Sequence, residues 1–112
     1  MKTKTKSIRL YETAEGKVPY NDWMESIKDK ITKNRIRARI DRIQLGNYGD
    51  HKSVGEGVNE LRLDFGPGYR IYYADIDDVL VILFCGGNKN GQDRDIKQAK
   101  KFLKELMERS DE

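Results

Sequence analysis

The alternation of apolar and polar side chains is sharpest between residues 58 and 73. There Val-Asn-Glu-Leu-Arg-Leu-Asp-Phe and Tyr-Arg-Ile-Tyr-Tyr flank Gly66-Pro67-Gly68. Period-two alternation on both sides of a glycine-proline loop predicts an antiparallel β-hairpin. Its one face would carry Leu61, Leu63, Phe65, Tyr69, Ile71 and Tyr73, and its other face Glu60, Arg62, Asp64, Arg70 and Tyr72. A three-residue loop sets Phe65 opposite Tyr69, Asp64 opposite Arg70 and Arg62 opposite Tyr72. The first face reads as core. The second is the candidate functional surface.

The same reading extends along the chain. Ser7 to Glu12 alternates as a strand, with Ile8, Leu10 and Tyr11 available for packing, and Thr13 to Lys17 is a turn. Val18-Pro19 starts a helix, followed by Tyr20, Trp23, Met24, Ile27 and Ile31 at near-helical spacing. The step from Ile31 to Ile36 breaks phase with the next series, Ile36, Ile40 and Ile43. A bend between Lys30 and Asn34 is therefore predicted, with two helices packed as a hairpin and the second closed by Gly46 and Gly49. Asn47 to Gly57 reads as a loop and Asp75 to Asp78 as a turn. Val79 to Cys85 is an unbroken apolar run, as in a central strand buried on both faces. After a loop from Gly86 to Gly91, Ile96, Ala99, Phe102, Leu103, Leu106 and Met107 mark a last helix, with Asp93 and Asp95 near its positive end. The order predicts one α+β domain over residues 1–112, a twisted, mainly antiparallel sheet covered by helices.

Composition narrows the function classes. The 112 residues hold 37% hydrophobic side chains, enough for a modest core. The net charge is only +3, so global basicity does not by itself argue for nucleic-acid binding, and local clusters must carry that case. One cysteine excludes an internal disulfide, and no Cys or Cys/His spacing suggests a zinc site or another cofactor. The basic start Met-Lys-Thr-Lys-Thr-Lys has no apolar signal core after it, and no run reaches membrane-spanning length. A cytoplasmic setting without membrane contact is the expectation.

Three motifs then occur in order: Gly57-Val58-x-Glu60-Leu61-Arg62, Gly66-Pro67-Gly68-Tyr69-Arg70-Ile71-Tyr72-Tyr73, and Cys85-Gly-Gly-Asn-Lys-x-x-Gln-Asp-x-Asp-Ile96. Together they resemble the RelE/ParE superfamily of bacterial toxins from toxin–antitoxin modules, in its HigB-like branch, the addiction module killer proteins. The likeness runs more weakly through Pro19 and Trp23. It implies a RelE-like fold and a ribosome-dependent mRNA endoribonuclease in which an RNA 2'-hydroxyl attacks the adjacent phosphate without a metal. It also implies a helix-turn-helix antitoxin encoded in the adjacent gene, with operator DNA bound only through the complex.

Such chemistry needs cations on the phosphate, a group to take the 2' proton and a donor for the leaving 5' oxygen. By the resemblance, Arg70 is the active-face arginine, and its planar fork suits phosphate. Pairing with Asp64 is the plainer role. Arg62 aligns with a basic strand position or lies on a solvated face, and Lys89 is a phosphate contact or a solubilising loop residue. Tyr72 is a stacking or proton-donating group, or a half-buried strand aromatic. Glu60 is a base or the partner of Arg62 and Arg70. Where RelE has a catalytic tyrosine this chain has Ile96, so that role does not transfer. His51 reads as a loop residue, Asp93 as a helix cap and Cys85 as core. Arg35, Arg39 and Arg42 share a helical face, read as a contact for ribosomal RNA or as solvated charge. A ParE-like gyrase inhibitor and a catalytically silent binding domain are the rival functions.

Overall fold

The computed structural model describes residues 5–110, so the basic residues 1–4 of the N-terminal reading lie outside the described residues. The elements are β1 (Ser7–Leu10), α1 (Pro19–Ser26), α2 (Lys30–Gln44), β2 (His51–Gly55), β3 (Val58–Leu63), β4 (Tyr69–Ile76), β5 (Leu80–Asn88), a 3-10 turn (Lys89–Gly91) and α3 (Gln92–Ser110). They form an α+β fold in which one five-stranded mixed sheet, ordered β1-β5-β4-β3-β2, is covered by three helices. β1 runs parallel to β5, and every other neighbouring pair is antiparallel.

Local chemistry sets the helix ends. Pro19 opens α1, where its missing N–H is no loss. Asp29 caps α2 by accepting from the Thr32 amide at 3.3 Å and from its hydroxyl at 2.8 Å. The break thus falls at residues 27–29, ahead of the predicted bend. Ile31 belongs to the first turn of α2 and is 71% exposed, so its spacing from Ile27 was not a continuing core stripe. The end of α2 is a Schellman turn: Gly46, at φ +84°, donates to the Ile43 carbonyl and Asn47 donates to that of Arg42. The two helices are not the predicted hairpin. Both rest on the sheet, α1 chiefly against β5, rather than packing along each other.

Residues 51–55, predicted as loop, form edge strand β2, and Gly55-Glu56-Gly57, all at positive φ, turn it into β3. His51, Lys52 and Ser53 are all exposed, so this edge strand has no apolar alternation to announce it. The β3–β4 register also differs from the prediction. Leu63 pairs with Tyr69, Arg62 with Arg70, and Glu60 with Tyr72. A Phe65–Gly68 turn, with Gly66 and Gly68 at positive φ, leaves Asp64 and Phe65 outside the ladder. Because the slip is two residues, each side chain keeps its predicted face while its partner changes.

Both faces are core. Leu61, Leu63, Ile71, Tyr73, Val81 and Leu83 pack under α1 and α2. Val58, Tyr72, Ala74, Ile82, Phe84 and Cys85 pack under α3. A bulge in the β4–β5 ladder, where Tyr72 pairs with Cys85 but Tyr73 with Leu83, puts Phe84 and Cys85 in the same α3-side cluster. Each fully buried large side chain contributes about 1.5–3 kcal/mol, so the two layers dominate stability. β5 is interior as expected from its apolar run, although β4 is the middle strand. No helix of the described residues is long and apolar enough to cross a membrane.

Candidate functional site

The corrected register gathers the charged residues. Arg62 and Arg70 are cross-strand partners, an arrangement that repels unless an anion lies between them. Glu60 supplies it. Its Oε1 accepts from Arg62 Nε at 3.0 Å and lies 3.9 Å from Arg70 Nε. Its Oε2 accepts from the Tyr72 hydroxyl at 3.2 Å and from Gln92 Nε2 at 2.5 Å. The carboxylate has no solvent exposure, yet its pKa is lowered: burial pushes it up, and the hydrogen bonds from Arg62, Gln92 and Tyr72 outweigh that. Glu60 is therefore an ionised anchor and a poor proton acceptor. The base role suggested by sequence does not suit it.

Tyr72 is likewise fully buried, and burial together with the Glu60 charge raises its pKa far above neutrality. Its ring packs in the α3-side core and its hydroxyl serves Glu60, so it is not placed to stack on a base or meet a substrate. The face read as open and charged is instead roofed by α3. Its cations emerge only at the end of the sheet.

At that end Arg70 is poorly occupied. Nη1 donates to the Tyr69 carbonyl at 3.0 Å, while Nε is buried and has no hydrogen-bond partner among the described residues. Such a group costs free energy until something binds it. Lys89 lies alongside: its amide donates to the Gly68 carbonyl, and a Cβ on Gly68 would sit 3.4 Å from Lys89 Cδ and 3.6 Å from Arg70 Nη1. Arg62, Arg70 and Lys89 thus share one end of the sheet, with Lys89 exposed and Arg62 half-buried. The glycines of the predicted 86–91 loop have another purpose. β5 continues through Gly86 and Gly87, where a Cβ would collide with Trp23 and Asp95.

The α2 arginines separate. Arg35 and Arg42 are exposed, with Arg35 lying 3.8 Å above the Phe65 ring. Arg39 is buried. It donates to the carbonyls of Tyr48 (3.2 and 3.0 Å), Asp50 (2.9 Å) and Arg62 (2.7 Å), so the reading of Arg39 as an RNA contact is corrected to a brace. Gly49, at φ +66°, lets the loop wrap this guanidinium, since a Cβ there would lie 2.8 Å from Nη2. The sequence held the clue, because position 39 is three after Ile36 and four before Ile43. His51, on β2, sets its Nδ1 2.8 Å from the Gly49 carbonyl and takes no part in the Glu60 network. Cys85 is core, its thiol pushed up to about 12 by burial and by the charge of Asp95. Gln92 was missed as a site residue although it sits in a recognised motif; a neutral amide gave no sign of reaching a carboxylate on another element. Among the described residues no three His, Cys, Asp or Glu side chains cluster to hold a metal ion.

Comparison with known proteins finds a relative in Haemophilus influenzae (strain ATCC 51907 / DSM 11121 / KW20 / Rd), described as an uncharacterized protein. It is 52% identical over 87 residues, covering 78% of this chain and 88% of the relative. The chain belongs to that protein's family. No protein-family model matches the chain.

Proposed function

We propose that this chain is a RelE/HigB-type toxin with a RelE-like fold, an endoribonuclease that cleaves mRNA on the ribosome. The observation that carries the reading is Arg70, a guanidinium whose buried Nε pairs with Glu60 at 3.9 Å without a hydrogen bond among the described residues, flanked by Arg62 and Lys89. In the cleavage, the 2'-oxygen bonds to phosphorus, the bond to the 5'-oxygen breaks, and a proton moves from the 2'-hydroxyl to the leaving oxygen through solvent or an added donor. Arg70 and Arg62 would meet the charge that builds on phosphate, and Lys89, beside Arg70, would add a third cation to it. Glu60 and Gln92 would position the arginines and make no contact with RNA. The motif resemblance adds the partner: an adjacent-gene helix-turn-helix antitoxin that covers these cations, the pair binding its operator DNA.

Induced expression without the neighbouring gene tests this directly. Growth should stop, new transcript 5' ends should appear within coding regions, cleavage should survive chelators, and co-expression of the neighbour should restore growth. Unchanged transcripts with inhibited DNA gyrase would replace the nuclease with a gyrase inhibitor. Harmless expression at high level would remove the toxin reading altogether.

A further inference from the structure

Beside the cations lies a cleft of about 350 Å³ that the reading above leaves unused. This is the low end of the roughly 300–1,000 Å³ typical of small-ligand sites. Trp23 of α1 and Tyr69 of β4 form its aromatic side, their centroids 6.0 Å apart and their rings nearly perpendicular. The backbone at Gly86 and Gly87 lies behind these groups, covered by Trp23 and by Asp95. A Cβ on Gly86 would fall 2.3 Å from Trp23 Cε3, and one on Gly87 would fall 2.0 Å from Asp95 Oδ2. The two glycines therefore let an indole and a carboxylate lie directly against the end of the sheet.

Asp95 supplies the carboxylate of this cleft, which Ser26, Asn88 and Arg94 also line. Its carboxylate is 18% exposed, and its charged partner is Arg94, at 3.8 Å on a side chain that is itself 84% exposed. Burial raises its pKa, against the opposing charge and hydrogen bond of Arg94. Tyr69 lines the cleft and precedes Arg70 in the chain; Asn88 lines it and precedes Lys89. A flat ligand seated here would lie at the end of the sheet that also carries Arg70, on β4, and Lys89, in the turn after β5. Aromatic rings and a carboxylate acceptor beside phosphate-binding groups match a nucleobase.

We propose that this cleft is a nucleobase subsite, which takes guanine in the RNA strand whose phosphate lies on Arg70. The base stacks on the aromatic side and donates N1–H and N2–H to the two oxygens of Asp95. The assignment rests on the ribonuclease reading and adds to it a residue that selects the base. A carboxylate with two oxygens to satisfy favours the base that presents two adjacent donors, and loss of such a bidentate pair costs roughly tenfold or more in affinity.

Trp23 is the sole tryptophan, so its fluorescence reports on the cleft. Purified full-length protein is titrated with GMP, AMP, CMP, UMP and inorganic phosphate, while NMR follows the Arg70 and Lys89 signals. GMP should quench Trp23 saturably and bind at least about tenfold tighter than AMP. Phosphate should shift Arg70 and Lys89 without quenching. Asp95→Asn, nearly isosteric and checked for folding by near-UV circular dichroism, should remove the preference for GMP while keeping the phosphate response. Equal quenching by all four nucleotides, an intact GMP preference in Asp95→Asn, or phosphate shifts with no nucleotide quenching would each overturn the subsite and leave the ribonuclease reading standing. No response at Arg70 to any phosphate compound would overturn both.

Discussion

Arg39, on α2, and Arg70, on β4, are both largely buried arginines linked through Arg62 of β3, and their surroundings differ in one respect. Arg39 makes four hydrogen bonds to three carbonyls, one of them that of Arg62. Arg70 makes one among the described residues, to its neighbour's carbonyl, and its Nε has none there. The first closes the loop after α2 onto β3 and has no capacity left for a ligand. The second is oriented by Glu60 at 3.9 Å and stays under-satisfied, the condition expected of a group that acts on something outside the fold. Residue type and burial alone would have classed them together. The count of satisfied donors separates them.

The sharpest way to break this contrast is to truncate both. Arg39→Ala removes four charge-assisted bonds and leaves the Tyr48, Asp50 and Arg62 carbonyls without that donor. The cost should be about 3 kcal/mol or more, lowering Tm by roughly 10 °C or more. Arg70→Ala should change stability by less than about 1 kcal/mol and lower cleavage about a hundredfold, the range seen when one donor to developing charge is lost. Thermal melts and transcript cleavage measured on both variants should give opposite patterns. An Arg39→Ala protein of wild-type stability, or an active Arg70→Ala, would erase the distinction.

Glu60 joins the two behaviours, since its loss should harm fold and site together. Glu60→Gln keeps the shape but removes the anion between two cross-strand guanidinium groups. It should destabilise by about 2 kcal/mol and lower cleavage roughly tenfold through mispositioned arginines. The pH dependence follows from the lowered pKa. The folded protein holds the proton less tightly than the unfolded chain, so the contribution of Glu60 is fully present above about pH 4.3 and is lost as pH falls through its lower folded value. Denaturant midpoints from pH 7 to 2 should fall less steeply in Glu60→Gln than in wild type. Parallel curves would mean that another carboxylate controls the acid transition.

How much of this was legible before folding depends on the kind of signal. The two sheet faces were, because period two survives a register error of two residues, and so was the interior strand, marked by the run from Val79 to Cys85. Edge strand β2 was not: an exposed His-Lys-Ser stretch has no buried face to impose a pattern. Ile31 misled because an exposed isoleucine at helical spacing looks the same as a buried one. For the site, the sequence put Arg62 and Arg70 on an open polar face and Lys89 in a loop, and the fold sets the three at one end of the sheet. The roof of α3 over Glu60 and Tyr72 was invisible, since it depends on how a distant amphipathic helix docks. Gly86 and Gly87 read as a loop because the sequence does not say whether a glycine permits a turn or a close approach.

The smallest expected effect sharpens the contrast within α2 itself. With Arg39 withdrawn as a brace, Arg35 and Arg42 are the exposed members of the predicted RNA-contacting set, and Arg35 is already held above Phe65. An exposed cation over a ring is worth about 0.5–1 kcal/mol, so Arg35→Gln should cost little in stability. If the pair meets ribosomal phosphates, Arg35→Gln with Arg42→Gln should reduce the slope of log affinity against log salt by about 1.5–2, because two fewer counterions are released. Ribosome binding measured across a salt series on the Arg70→Ala background, where the proposed function expects cleavage to be slow, isolates this effect from cleavage. A slope that does not change returns Arg35 and Arg42 to solvated charge. A change with Arg42→Gln alone, and none with Arg35→Gln, would show that stacking on Phe65 holds Arg35 to the fold in the manner of Arg39, leaving Arg42 as the outward cation of the three.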